Sequence, residues 1–146
     1  MEREAILAFT GQHRFLSNFA LVEVMLDGRP YPTVEHAFQA SKTLHPAERE
    51  EIRCASTAGQ AKRMGRRVEL RPRWDTLRLD VMLMLLRQKF RQTYFKTRLL
   101  DTGEAELIEG NDWGDRFWGV CQGQGENQLG KLIMQVRSEL RGKAGG

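Results

Sequence analysis

The chain has 146 residues, enough to bury the core of one domain and short for two. Its 23 Lys and Arg against 19 Asp and Glu leave a net charge of +4, which suits anionic ligands and leaves nucleic acid and phosphorylated small molecules both open as partners. Two cysteines, Cys54 and Cys121, and three histidines, His13, His36 and His45, lack the spacing of a disulfide framework or a zinc site, so a reducing, cytoplasmic setting without metal or cofactor is expected.

Ala5–Phe9 reads as a first strand, too short for a secretory core or a membrane span, so no membrane partner is expected. Val22, Val24 and Leu26 alternate up to Asp27-Gly28, a hairpin dipeptide, which predicts an antiparallel pair near the N-terminus. Pro32 should stop the second strand, and Thr33 should cap a helix on which Val34, Ala37, Phe38 and Ser41 recur at helical spacing. Two short helices follow, in "AEREEIRCAS" and in "TAGQAKRMGRR", the second capped by Thr57 and closing on Gly65. Asp75 is expected to cap the longest helix, "TLRLDVMLMLLRQKF", whose broad apolar content points to the centre of the core. Another helix ends at Gly103, "AELIEG" reads as a strand, residues 111–127 as a loop, and a last helix starts near Asn127. The fold class is α+β: one helix-dominated domain over residues 1–146 with a small, mainly antiparallel sheet.

On the helix after Thr33, Glu35, Gln39 and Lys42 fall at i, i+4 and i+7 and form a narrow polar stripe. Its ordinary reading is a solvated face with an acid at the positive helix end and a base at the negative end. The loop "NDWGDRFWG" packs Asp115, Trp118, a second tryptophan and an arginine between glycines, either as a turn with aromatic anchors or as a carboxylate beside a stacking surface. Gly123 and Gly125, just before the last helix and its first residue Asn127, could present free backbone N–H groups to a phosphate or simply make a glycine turn. Lys62, Arg63 and Arg66 around Gly65 suit phosphate, though solvated basic helix ends are common. Asn18, between Phe15 and Phe19, could hold a turn or present its amide to a ligand.

"FLSNF" (15–19), "YPTVEHAFQASK" (31–42), "AKRMGR" (61–66), "DRFWG" (115–119) and "GENQLGKLIM" (125–134), in that order and across nearly the whole chain, resemble the successive motifs of the NADAR, or YbiA-like, family. The resemblance implies N-glycosidase chemistry on ribosides, either removal of ADP-ribose from guanine bases or cleavage of phosphoribosylamino-pyrimidine intermediates of riboflavin synthesis. It implies roles for Glu35 and Lys42 in catalysis and matches Asp115 and Trp118 to the family's acid and indole; with Asp115 counted as catalytic and Trp118 as a stacking surface, the residue types read above place Asn18, Gln39, Lys62, Arg63, Arg66, Gly123, Gly125 and Asn127 around the substrate. The partner is then a small-molecule riboside, an ADP-ribosylated base or an ADP-ribosylated nucleic acid. One departure stands out: Val120-Cys121 follow Trp118-Gly119 where many bacterial members carry an acid, which bears against the riboflavin-type subgroup.

The chemistry fits these residue types. Breaking a ribose C1′–N bond builds positive charge on the sugar, which a fixed carboxylate stabilises, while a second group handles water and the departing nitrogen. An exocyclic nitrogen could also open the sugar to an imine, which a Lys42 amine would attack as a Schiff-base nucleophile. That amine must be partly unprotonated, which burial and cationic neighbours favour and an ionised Glu35 opposes. A non-catalytic ADP-ribose or nucleic-acid binding module is the rival from another class.

Overall fold

Asp27 and Gly28 adopt left-handed backbone, φ 47° and 82°, the pair of conformations that a two-residue hairpin turn requires. They join β1 (Leu21–Leu26) to β2 (Arg29–Thr33) in the antiparallel ribbon that the alternation predicts. The structure is a computed structural model and describes residues 4–145. The chain divides into two compact units, one running Asn18–Lys89 and the other made of the chain up to Ser17 together with everything from Phe90 onward.

The Asn18–Lys89 unit contains the hairpin, α1 (Val34–Ser41), α2 (Pro46–Arg53), α3 (Ala58–Gly65) and α4 (Trp74–Arg91) up to Lys89. Val22, Val24 and Leu26 are buried and the residues between them exposed, so β1 lays one face on the core. β2 does not stop at Pro32. Pro30 and Pro32 are exposed and alternate with buried Tyr31 and Thr33, and on an edge strand alternate N–H groups face away from the partner, so their loss breaks no ladder. The outer edge of β1 is closed by Gln88 of α4, whose side-chain amide donates to the Met25 carbonyl at 2.9 Å and accepts from the Met25 N–H at 2.7 Å. It stands in for a missing strand.

Thr33 caps α1 as its side-chain chemistry suggests, accepting from the His36 N–H at 3.0 Å. The His36 ring then ties this cap to the α2–α3 connection, with Thr33 Oγ1 at 2.7 Å and the Ala55 carbonyl at 3.0 Å. Thr57 caps α3 in the same way. Phe38 of α1 stacks obliquely on Trp74, ring centroids 5.2 Å apart, so α1 is packed by the hairpin and by helices. Two expectations for α4 need correction. It starts at Trp74 with Asp75 in its first turn, and the carbonyl of Arg73 takes the Thr76 and Leu77 N–H groups. It also has a wet side, with Asp80, Met84 and Arg87 exposed at helical spacing while Met82, Leu85, Leu86 and Lys89 are buried.

In the other unit, α5 (Thr93–Asp101) and α6 (Gln128–Gly145) pack together, and β3 (Gly110–Asn111) pairs parallel with β4 (Val120–Cys121). The strands expected at Ala5–Phe9 and "AELIEG" shrink to one parallel bridge, Ile6–Leu107. It is framed by Ile6 N–H to the Glu106 carbonyl at 2.8 Å and Ile108 N–H to the Ile6 carbonyl at 2.9 Å. Leu99, Leu107, Leu129, Ile133 and Val136 form the apolar interior, and buried Arg137 donates to Thr102 Oγ1 at 2.8 Å. No helix among the described residues is long and apolar enough to cross a membrane.

Candidate active site

Every residue of α1 is buried, polar ones included. Glu35 is 7% and Gln39 5% exposed, which removes the solvated-face reading of the stripe. The Thr33 cap fixes where the helix begins and so places Glu35 in its first turn, where the positive helix end favours a carboxylate. A buried carboxylate needs donors; Gln39 Nε2 supplies one, at 2.9 Å from Glu35 Oε1. The Glu35 backbone N–H is taken by the Asn18 carbonyl at 3.1 Å, which brings Asn18 beside the start of α1. Asn18 is itself buried, its Nδ2 3.6 Å from Met82 Sδ, while its Oδ1 has no hydrogen-bond partner among the described residues.

Lys42, the C-cap of α1, is half-buried. Its backbone is pinned by Arg71, whose N–H donates to the Lys42 carbonyl at 2.7 Å and whose Nη1 donates to the Ser41 carbonyl at 3.4 Å. Burial pushes the Lys42 ammonium below the ordinary lysine range; Glu35 opposes this, and Arg66 and Lys62 reinforce it. Of the opposing influences on this lysine, burial and its cationic neighbours outweigh the carboxylate, so the shift is downward. Glu35, Gln39, Lys42, Lys62 and Arg66 consequently share one neighbourhood. Arg63 turns elsewhere along α3, its Nη1 3.7 Å from where a Cβ on Gly59 would stand.

The glycine- and tryptophan-rich loop of the other unit is organised by its own polar groups. Asp115 Oδ1 accepts from the Phe117 N–H at 3.1 Å and the Trp118 N–H at 2.9 Å, an Asx turn, and Asn111 braces Asp115 from both backbone ends at 2.9 and 3.0 Å. Trp118 is half-buried and meets Phe117 edge to face at 4.9 Å. The free N–H groups expected before the last helix are occupied: those of Asn127, Gln128 and Leu129 donate to the carbonyls of Gly119, Phe117 and Trp118. Gly123, φ 76°, completes a tight turn in which Cys121 and Gln124 exchange backbone hydrogen bonds. Gly125 approaches β4 so closely that a Cβ would stand 2.1 Å from the Gly119 carbonyl oxygen. Asn127, buried, donates to the Leu107 carbonyl and accepts from the Glu109 N–H, both at 2.9 Å. Gly123, Gly125 and Asn127 therefore shape the loop, and three of the N–H groups at the start of the last helix are already taken.

Three side chains escaped the sequence reading. Arg71 lies thirty residues from the Ser41 carbonyl its side chain holds, beyond any local pattern. Lys89 is fully buried, and burial pushes its ammonium down to about 7; its place three, four and seven residues after Leu86, Leu85 and Met82 was a legible sign. Glu109, half-buried, accepts from Asn111 Nδ2 at 3.2 Å.

An α+β fold that buries a carboxylate on a helix, in the neighbourhood of a half-buried lysine with a lowered pKa and two further cations, sets out a sheltered acid–base site suited to an anionic ligand. Known proteins give this site a family. Residues 8–141 match the NADAR domain, a span that crosses both units. The chain is 42% identical over 128 residues to N-glycosidase YbiA of Escherichia coli strain K12, covering 85% of this chain and 79% of that protein. It is 38% identical to a riboflavin biosynthesis protein of Vibrio vulnificus, covering 88% of this chain and 36% of that one. The NMR structure of the E. coli protein YbiA superposes with a TM-score of 0.86 at 37% identity, covering 99% of this chain and 89% of the other. The chain belongs to the NADAR domain family, and its class is that of the N-glycosidases, hydrolases of N-glycosyl compounds.

Proposed function

We propose that this protein removes ADP-ribose from a modified guanine base, free or within nucleic acid, by hydrolysing the ribose C1′–N bond. The observation that carries the reading is Glu35, a carboxylate almost closed off from solvent, two helical turns from Lys42 on the same stripe and in the field of its cationic neighbours. As the C1′–N bond stretches, the ionised Glu35 stabilises the positive charge growing on the ribose, and in a buried setting that interaction is strong. Water adds its oxygen to C1′ while its proton passes to the departing nitrogen, so the base leaves neutral and the sugar leaves with a C1′ hydroxyl and only its phosphate charges.

Where the substrate nitrogen is exocyclic, a second route uses Lys42. The nitrogen lone pair opens the sugar ring to an imine, the Lys42 amine adds to C1′ and expels the base, and water cleaves the resulting Schiff base to return the amine. The lowered Lys42 pKa supports this route. Lys62 and Arg66 hold substrate phosphate, and the unpartnered Oδ1 of Asn18 accepts from a sugar hydroxyl. Asp115 and Trp118 stay in the proposal as an acid and a stacking surface, although one Asp115 oxygen already serves its own turn.

A second reading, hydrolysis of phosphoribosylamino-pyrimidine intermediates, draws support from the name of the Vibrio vulnificus relative. The two separate in one experiment: mass spectrometry of products after incubation with ADP-ribosylated guanosine, ADP-ribosylated DNA, the pyrimidine intermediates and NAD in parallel. Release of guanine or repaired DNA is the expected result; turnover of the pyrimidine intermediates alone would replace the first reading by the second.

A further inference from the structure

Gln39 is held on two sides. Its Nε2 donates to Glu35 Oε1 at 2.9 Å, and its Oε1, buried and without a hydrogen-bond partner among the described residues, lies against Gly65 at the end of α3. A Cβ on Gly65 would stand 1.9 Å from Oε1, 2.7 Å from Cδ and 3.0 Å from Cβ of Gln39. Gly65 is not among the residues with positive φ, so backbone conformation does not require a glycine there. Of its three nearest obstacles, Oε1 and Cδ form the far end of a flexible side chain, and the Gln39 Cβ, at 3.0 Å, is the one tied to the α1 backbone. A helical glycine also sacrifices about 1 kcal/mol relative to alanine. The constraint at position 65 therefore concerns where the Gln39 amide sits. The opposite amide orientation would set an oxygen against the Glu35 carboxylate, so the seat on Gly65 and the donor to Glu35 go together.

We propose that Gly65 is a positioning residue for the glycosidase reaction: the missing side chain lets the Gln39 amide rest on the end of α3 and aim its N–H at Glu35, which fixes the carboxylate's rotamer. The inference rests on Glu35 being the reacting carboxylate. Because Gly65 lies between Lys62 and Arg66, the helix end that presents cations to the substrate is also the one that sets the acid.

The test is a cycle of Gly65→Ala, Gln39→Ala and the double variant, assayed on whichever substrate of the parallel panel the wild type splits fastest, with thermal melts alongside. Gly65→Ala should lower kcat about 10- to 100-fold, the loss expected when a reacting group is misplaced by about 1 Å, with KM nearly unchanged and the melting temperature kept. In the Gln39→Ala background the added methyl meets no amide, so the double variant should be no slower than Gln39→Ala alone. A readout free of turnover is the Gln39 side-chain NH2 signal in the 15N–1H NMR spectrum, which should move in both Gly65→Ala and Glu35→Ala. A Gly65→Ala protein with wild-type kcat, a Gly65→Ala loss undiminished in the Gln39→Ala background, or an unmoved Gln39 signal would overturn the inference. Full activity in Glu35→Gln would instead remove the reading beneath it, leaving the NMR result to stand separately.

Discussion

Helix α1 and the loop over residues 111–127 are both polar sequences brought into partly or wholly buried surroundings, and they resolve that cost in opposite ways. In the loop, the side chains of Asn111, Asp115 and Asn127 hydrogen-bond mainly to backbone groups of the loop and its flanks, Asp115 through one of its two oxygens, so all three support the loop. In α1 the backbone is satisfied by the helix itself, so the polar stripe faces side chains: Glu35 takes Gln39, and Lys42 faces Lys62 and Arg66. A buried polar group that its own backbone does not claim is available to a substrate.

Substitutions can break or sharpen this contrast. The largest effect should come from α1: Lys42→Met is expected to reduce single-turnover rates by about 10²–10⁴ with a thermal melt close to wild type. Borohydride added during turnover should trap an adduct on the wild-type lysine, and an active Lys42→Met protein without any trapped adduct in the wild type would remove the Schiff-base route. From the loop, Asn127→Ala should do the reverse. It leaves the Leu107 carbonyl and the Glu109 N–H without partners, a destabilisation of about 2–4 kcal/mol visible in denaturant unfolding, while the rate per folded molecule stays near wild type.

Lys89 offers a smaller, pH-dependent effect. Its folded-state pKa of about 7 lies below the ordinary lysine value of 10.5, so between those values the unfolded chain holds a proton that the folded one has released, and stability from this group rises with pH across that window. Lys89→Met should raise the melting temperature at pH 7 by about 3–8 °C, and the gain should shrink as the pH approaches 10. The smallest effect concerns Arg66→Met, which removes a cation that holds the Lys42 amine down. The rise of kcat/KM with pH should move to higher pH; a move to lower pH would contradict the assignment.

Local chemistry was legible in the sequence wherever one turn of chain decides the outcome. Asp27-Gly28, Thr33 and Thr57 act as their side chains predict, and the i, i+4, i+7 stripe was visible as a pattern. Its burial was not, because that depends on the hairpin and the helices that close over α1. The place of Gly65 against Gln39 escaped for the same reason: the clash that excludes a side chain comes from a residue 26 positions earlier. The strands at Ala5–Phe9 and in "AELIEG" were overread, since short apolar runs satisfy a single bridge as well as a ladder. In the glycine loop the sequence shows the donors of a helix start but not the carbonyls that take three of them.

The central claim is that the buried acid of α1 performs the reaction. Its most direct measurement is the single-turnover rate of C1′–N cleavage by Glu35→Gln, whose amide keeps the size of the side chain and removes its charge. A fall of about 10³-fold or more, with the fold retained, is the predicted result; cleavage at the wild-type rate would contradict the account.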